Sequence, residues 1–167
     1  TLTLDAVERE ERLEAYQGHQ YTEISLEEGT QFPFFSQMVD QLRACLRSPH
    51  GIRPTLFVTA NPGGPGHSAV KGMFIDPSPP LTPYRDPLSH ELQVFVPSRV
   101  RDNAVLCRAD PQYVRRLQGI RDEALRRAWL GGDWDVVVGG YFSDVYSRER
   151  NVVPVFRPPA EWPRVCS

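Results

Sequence analysis

Two pairs of polar residues directly follow two short segments with the composition of β-strands: Glu27 and Glu28, and Thr59 and Asn61. Residues 21–26 alternate apolar and polar side chains, as a half-exposed strand does. Residues 56–58 form an uninterrupted apolar run, which is typical of a strand buried on both faces. Two acids after such a strand can hold magnesium and orient an attacking water, which is the main work of phosphoryl transfer. Short polar groups on the next strand can then sense the terminal phosphate.

Each pair also has a purely structural interpretation. Two adjacent glutamates are common at a solvated strand end. The Asn-Pro and Gly-Gly steps of residues 61–64 are ordinary turn formers. The chemical interpretation requires the two strands to be parallel neighbours, because ligands of an open α/β sheet bind beyond the carboxyl ends of its strands.

The segment between the two strands predicts the helix that would make them parallel. From Pro33 onward, apolar side chains recur with helical spacing and define one face: Phe35, Met38, Val39, Leu42, Cys45 and Leu46. Pro33 suits a first helical turn, and residues 48–51 contain the Pro and Gly that end a helix. Strand, crossover helix and strand together predict a β-α-β unit with parallel strands.

The rest of the chain is punctuated by proline and glycine. Residues 76–87 contain five prolines and predict an extended surface loop, although a ligand for a proline-recognition module is also conceivable. Residues 92–96 predict a strand, and helices are expected at 110–118 and 122–130. An apolar run at 136–138 precedes two glycines, and the tail from Pro154 has the composition of a linker.

Composition indicates a folded domain in a reducing compartment. The chain of 167 residues is long enough for one domain with a core, and no apolar run could span a bilayer. The three cysteines are widely spaced: Cys45, Cys107 and Cys166. The four histidines do not cluster with them: His19, His50, His67 and His90. We therefore do not expect a zinc site.

Charge is unevenly distributed along the chain. Residues 1–31 hold eight acids and two arginines (net −6), whereas the remainder holds seventeen bases and thirteen acids (net +4). This asymmetry permits nucleic-acid contact without demonstrating it, because no basic tail or aromatic-basic motif is present. Lys71 is the single lysine beside eighteen arginines, a bias that base composition of the genome explains as well as phosphate binding does.

The order of short sequence blocks resembles the large terminase subunit of tailed double-stranded DNA bacteriophages. The blocks run from residue 16 to about 146: Gln17–Tyr21, Glu27–Thr30, Thr59–His67 with Val70-Lys71, Phe95–Ser98, Asp102-Asn103, Asp110–Val114 with Leu117, Gly132–Asp135 and Gly140–Phe142. That family packages viral genomes with an ATPase domain of the additional-strand, RecA-like type, followed by a nuclease domain.

The resemblance implies a fold and a domain organisation. We expect an α/β chain with a partial RecA-like P-loop NTPase sheet and a small helical linker subdomain. Residues 1–100 would be the C-terminal half of the ATPase domain, 101–150 the helical linker, and 151–167 the connection towards a nuclease domain that is absent here. In the family's sheet, the phosphate-loop strand lies between the coupling-motif strand and the next one, so this piece would contain a gap.

By the same resemblance, Glu27 stands at the Walker B magnesium position and Glu28 at the catalytic glutamate. Thr59, Ala60 and Asn61 stand at the coupling motif, which links hydrolysis to movement. The implied cofactors, in the complete protein, are ATP and Mg²⁺. The implied partners are double-stranded DNA, the portal, the small terminase subunit and copies of the chain in a homo-oligomeric ring, with no membrane. The implied location is the host cytoplasm, at the viral procapsid.

Three departures from the family pattern define an alternative. The Walker B position is usually Asp, whereas this chain has Glu27, and the preceding strand is less apolar than usual. No G-x-x-x-x-G-K-[ST] loop occurs, so we expect truncation and no hydrolysis by this chain alone. The alternative is a non-catalytic viral module that binds DNA or portal. Several arginines are candidates for a finger on a neighbouring subunit, although each is also an ordinary surface residue: Arg43, Arg47, Arg53, Arg99 and Arg101.

Overall fold

A computed structural model describes residues 2–136, 151–154, 156–157 and 159. The chain divides into two compact units, Thr1–Val136 and Val137–Ser167. The helices and strands that follow all belong to the first unit. Most of the apolar run at 136–138 and of the linker-like tail lies outside the described residues. The division into residues 1–100, 101–150 and 151–167 stays a prediction.

The first unit contains the expected β-α-β arrangement. Strand β1 (Glu23–Leu26) pairs in parallel with β2 (Thr55–Val58), and helix α1 (Phe35–Cys45) crosses between them. The predicted helix is confirmed, with a C-terminus at Cys45. Leu46 lies beyond the helix and forms an isolated parallel bridge with Tyr21, two residues before β1.

The hydrophobic core lies between α1 and this small sheet. Its buried members come from four elements, namely the N-terminal 3₁₀-helix, β1, α1 with its N-cap, and the helix after β2: Leu13, Leu26, Phe34, Phe35, Met38, Val39, Leu42 and Val70. Leu13 belongs to an N-terminal 3₁₀-helix, Glu10–Tyr16. The apolar stripe of α1 is therefore buried against the sheet and the N-terminal segment, as an amphipathic helix requires.

The expectation that residues 56–58 are buried on both faces is wrong. Phe57 is 55% exposed, and Thr55, Leu56 and Val58 are only half-buried. The reason is that β2 pairs only with β1 among the described residues, so its other edge and part of one face have no covering element. An uninterrupted apolar run indicates a buried strand only when the sheet continues on both sides.

A short helix that the sequence did not predict follows β2. Helix α2 (His67–Val70) continues into a π-helical turn, Lys71–Ile75. Residues 76–87 form mainly a loop, as expected, but Tyr84–Arg85 forms a strand (β3) that pairs antiparallel with Leu92–Gln93 (β4). The predicted strand at 92–96 is thus reduced to two residues, because residues beyond Gln93 have no strand partner on either side in the described chain.

Three helices complete the first unit: α3 (Ala104–Ala109), α4 (Pro111–Gln118) and α5 (Glu123–Gly131). The helices expected at 110–118 and 122–130 are confirmed. Asp110 and Asp122 cap them, each accepting a backbone N–H of the first turn, and Gly132 ends α5 in the left-handed conformation. The sequence did not predict α3, whose N-cap is Asn103.

The architecture is therefore mixed α/β, with a small parallel two-stranded sheet and a separate antiparallel pair. In the described part of the chain, no helix has the length and apolar character needed to cross a membrane.

Candidate functional site

The parallel pairing brings the two polar strand ends together. Leu26 is in register with Val58, so both strands end at the same edge of the sheet. Backbone hydrogen bonds continue beyond the strands, from Thr59 N to the carbonyl of Leu26 at 2.9 Å and from Gly29 N to the carbonyl of Thr59 at 2.8 Å. The residues that the sequence singled out on the two strands are consequently neighbours in space.

Glu28 contacts both polar residues of the second strand end. Its backbone N–H donates to Thr59 Oγ1 at 3.3 Å. The Asn61 side-chain amide donates to both carboxylate oxygens of Glu28, at 3.1 and 3.3 Å from Nδ2. Glu28 also has a left-handed backbone, with φ 53° and ψ 49°, which is costly for a residue with a Cβ. The fold therefore fixes this carboxylate in position at the cost of local strain.

Glu27 lies at the same strand end but differs from Glu28 in its surroundings. It is exposed, and its carboxylate makes no hydrogen bond or ion pair with the described residues. Magnesium takes six oxygen ligands and is commonly held by one or two carboxylates together with waters and substrate phosphates. Glu27 fits the role of one such ligand. No group of three or more His, Cys, Asp or Glu side chains suited to a metal occurs among the described residues, so phosphate and water would have to complete the shell.

Thr30 is also part of the site, although no role for it was predicted from the sequence. It is completely buried, and its Oγ1 donates to the backbone carbonyl of Asn61 at 2.8 Å. Its own carbonyl accepts from Gly66 N at 2.8 Å. Thr30 thus ties the turn after β1 to the loop after β2 at two points. In the sequence, the available signal for a role of Thr30 was a hydroxyl close to two acids. The partner of this hydroxyl, the Asn61 carbonyl, is identified only by the register of the strands.

The loop of residues 62–66 needs two of its glycines because it packs against that turn. Gly64 has φ +85°, and a Cβ there would lie 2.6 Å from the carbonyl oxygen of Thr30. A Cβ on Gly66 would lie 2.3 Å from the carbonyl oxygen of Phe32. Both distances are far inside van der Waals contact, and the obstacle in each case is backbone. The close approach of the two backbones therefore excludes any side chain at these positions.

A groove of about 1430 Å³ adjoins the site along the unpaired edge of β2. Its lining includes residues 53–62, residues 90–100 and several residues of the helices, among them Leu106 and Trp129. Apolar side chains of residues 53–62 and 90–100 are exposed: Phe57 is 55% exposed, Val94 49% and Val96 64%. The groove therefore combines apolar walls with a strand edge whose N–H and C=O groups have no strand partner among the described residues.

Two of the five candidate arginines have structural partners. Arg43 is largely buried and forms an ion pair with Glu91, at 2.9 Å between Nε and Oε2. The Arg47 guanidinium donates to the carbonyls of Gly18 and His19 at 3.0 and 3.1 Å. Arg53 and Arg99 line the groove wall. The structure thus accounts for Arg43 and Arg47 through contacts within the chain, and the assignment of a finger stays a prediction.

The arrangement offers one carboxylate held by Asn61, one carboxylate without a partner among the described residues, and two short polar side chains at one edge of a sheet. That set can bind a hydrated cation and position a water, but the sequence contains no G-x-x-x-x-G-K-[ST] loop to hold phosphates. Comparison of the chain with protein-family models, with curated proteins and with solved structures finds no match.

Proposed function

We propose that this chain forms the Walker B and coupling-motif portion of an ATP-driven DNA-packaging motor of the terminase large-subunit type. The observation that carries the proposal is the contact between Asn61 and Glu28 at the adjoining ends of two parallel strands. A motor needs its hydrolytic carboxylate in contact with the group that reports on the nucleotide. The choice of this family rests on the resemblance in the order of sequence blocks from residue 16 to 146.

In this proposal, the two glutamates have different roles because their surroundings differ. Glu27, exposed and without a partner in the described chain, holds Mg²⁺ together with phosphate oxygens and water. Glu28, fixed by Asn61 and by Thr59, orients the attacking water. Thr59 and Asn61 respond to the terminal phosphate. ATP supplies the phosphoryl group that is transferred to water.

The groove beside β2 is a second observation that supports the proposal. A RecA-like sheet of the additional-strand type has its phosphate-loop strand between the coupling-motif strand and the next strand. The groove is lined by β2, by residues 90–100 and by helical residues, and apolar side chains of β2 and of residues 90–100 are exposed. A strand placed there would pair with the free edge of β2 and cover Phe57. It would bring a phosphate loop to the edge of the sheet that holds Glu27 and Glu28.

The remaining parts of the proposal concern partners and place. Residues 99–131, which include α3 to α5, hold eight arginines and four acids, so they carry a net charge of +4 suited to phosphate backbones. Double-stranded DNA, the portal, the small terminase subunit and a ring of identical chains are the proposed partners. The host cytoplasm, at the procapsid, is the proposed location.

The proposal is tested on the complete motor chain, meaning these residues together with the phosphate-loop segment that the proposal requires. We expect Mg²⁺-dependent ATP hydrolysis that double-stranded DNA stimulates. A complete chain that binds DNA or portal and neither binds nor hydrolyses ATP would instead support the second candidate, a non-catalytic binding module. The absence of a G-x-x-x-x-G-K-[ST] loop from these residues is the observation that favours this candidate.

A further inference from the structure

His67 links the loop that follows Asn61 to a distant part of the first unit. It is the first residue of α2, and its Nδ1 accepts a hydrogen bond from the backbone N–H of Gly63 at 2.9 Å. Gly63 is two residues beyond Asn61 and is buried. The ring therefore holds the start of the loop at its connection to β2.

The other side of this link is Trp134, which follows α5. The rings of His67 and Trp134 are stacked, with centroids 5.3 Å apart and planes inclined by 25°. Trp134 is itself joined to α5, because the preceding residue, Asp133, accepts two hydrogen bonds from the Arg127 guanidinium, at 3.0 Å from Nε and 2.5 Å from Nη2. The His67 ring is thus connected to the end of α5 through a series of direct contacts.

Lys71 provides a second connection from the same face of the segment. It is four residues after His67, one helical turn away, and its ammonium group bridges Asp76 at 3.0 Å and Asp135 at 3.1 Å. His67 and Lys71 therefore contact the consecutive residues Trp134 and Asp135. Two contacts of different chemistry hold α2 against the same short segment.

The protonation state of His67 suits this arrangement. Burial lowers the pKa of the ring, and the nearby Lys71 lowers it further, while a hydrogen bond with the Trp134 backbone and the carboxylates of Asp135 and Asp76 act in the opposite direction. The net lowering favours the neutral ring. Only a neutral ring has a nitrogen that can accept the Gly63 N–H.

We propose that His67 is a positioning residue that carries movement of the Asn61 strand end to the Trp134–Asp135 segment. The relay runs from Asn61 to Gly63 along the backbone, from Gly63 to the His67 ring by a hydrogen bond, and from that ring to Trp134 by stacking. It rests on the proposed function only for its purpose, which is to couple nucleotide sensing to helix α5. A contiguous set of packed contacts is one physical route for such coupling.

The relay is tested without nucleotide, on the 167-residue chain. Asn61→Ala is the perturbation, and the readout is the ¹H–¹⁵N resonance of the Trp134 indole, with the backbone amide of exposed Leu88, outside the relay, as internal reference. We expect Asn61→Ala to shift the Trp134 resonance. In the His67→Phe background, which retains an aromatic ring and loses the acceptor for Gly63, the shift should fall to the level seen at Leu88. His50→Phe, at an exposed histidine outside the relay, should leave the shift unchanged.

A Trp134 shift that survives in the His67→Phe background would overturn the relay, as would the absence of any shift in the wild-type background. If His67→Phe does not fold, His67→Asn gives the same test, because it can retain an acceptor for Gly63 while removing the ring stacked on Trp134. Loss of the shift again supports the relay, and its survival overturns it. Since no nucleotide is present, failure of ATP hydrolysis in the complete motor chain would refute the proposed function separately.

Discussion

The Asn61 amide donates to both oxygens of the Glu28 carboxylate, so the last polar residue of one strand end holds the acid of the other. This contact is made by exposed side chains, whereas the backbone carbonyl of Asn61 is held separately by buried Thr30. The two functions of Asn61, shaping the turn and contacting the carboxylate, therefore depend on different atoms. Mutations can separate them.

Asn61→Ala should leave the folded chain nearly as stable as the wild type, with a change in unfolding free energy within about 0.5 kcal/mol, because it removes an exposed side chain and keeps the carbonyl. In the complete motor chain, ATP binding should stay near normal while DNA translocation falls more than basal hydrolysis does. Thermal unfolding, ATP turnover and DNA packaging are measured on the same variant.

Thr30→Val is the matched control for Asn61→Ala. It keeps the shape of the buried side chain, removes the hydroxyl and leaves the carbonyl of Asn61 without its partner. We expect a loss of about 1–3 kcal/mol in unfolding free energy, as for a buried acceptor left unsatisfied. If Asn61→Ala lowers the melting temperature as much as Thr30→Val does, Asn61 only shapes a turn. A stable Asn61→Ala protein with unimpaired packaging would exclude the coupling role.

Gly66→Ala should destabilise the chain by about 1–3 kcal/mol, because its Cβ would overlap the carbonyl oxygen of Phe32 and force the loop away from the turn. Gly72→Ala is the control, since a Cβ at Gly72 meets nothing within 4 Å. We expect that variant to be unchanged or slightly more stable. Equal melting temperatures for the two variants would contradict the close packing of the loop.

The parts of the fold that could be predicted from the sequence are those with local causes. The helix at α1 and the helices expected at 110–118 and 122–130 rest on spacing and on side-chain chemistry within one turn, and all three were confirmed. The proximity of the strand ends followed from the parallel β-α-β rule. These features need no knowledge of distant residues.

The parts that could not be predicted depend on tertiary partners. The exposure of Phe57 results from the absence of a neighbouring strand beside β2 in the described chain, which an apolar run does not reveal. The pairing of Thr30 with Asn61 spans 31 residues, and the stacking of His67 on Trp134 spans a longer separation. The short strand β3 formed inside a proline-rich segment because β4 supplied its hydrogen-bond partners.

His67 should make stability depend on pH in a defined direction. Its pKa is lowered in the folded chain, mainly by burial, so the folded state binds this proton less readily than the unfolded state does. The contribution of His67 to the free energy of unfolding is complete above the unfolded histidine pKa of about 6.5. This contribution is lost as the pH falls through the lower pKa of the folded chain. Unfolding free energies measured at about pH 7.5 and about pH 5 should differ more in the wild type than in His67→Phe.

His50→Phe controls for the loss of a histidine as such and should keep the wild-type dependence, because His67 is still present. A wild-type dependence in His67→Phe as well would contradict the lowered pKa of His67. The carboxylates of Asp76 and Asp135 are common to all three proteins.

The 167-residue chain alone should show no saturable binding of ATP–magnesium. Glu27 and Glu28 hold a cation weakly unless phosphate oxygens complete its shell, and these residues include no phosphate loop. Isothermal titration calorimetry with ATP and Mg²⁺ measures this directly. Micromolar affinity would mean that phosphates are held by groups other than the proposed loop.

The central claim is that Glu28 orients the attacking water and Glu27 holds the metal. ATP turnover and Mg²⁺-dependent ATP binding, measured side by side on Glu28→Gln and Glu27→Gln of the complete motor chain, test it most directly. Glu28→Gln should bind ATP normally and hydrolyse it about a hundredfold or more slowly, as expected for loss of a positioned base. Glu27→Gln should weaken Mg²⁺-dependent binding. The opposite pattern would contradict the assignment, and wild-type turnover in both variants would remove these glutamates from the site.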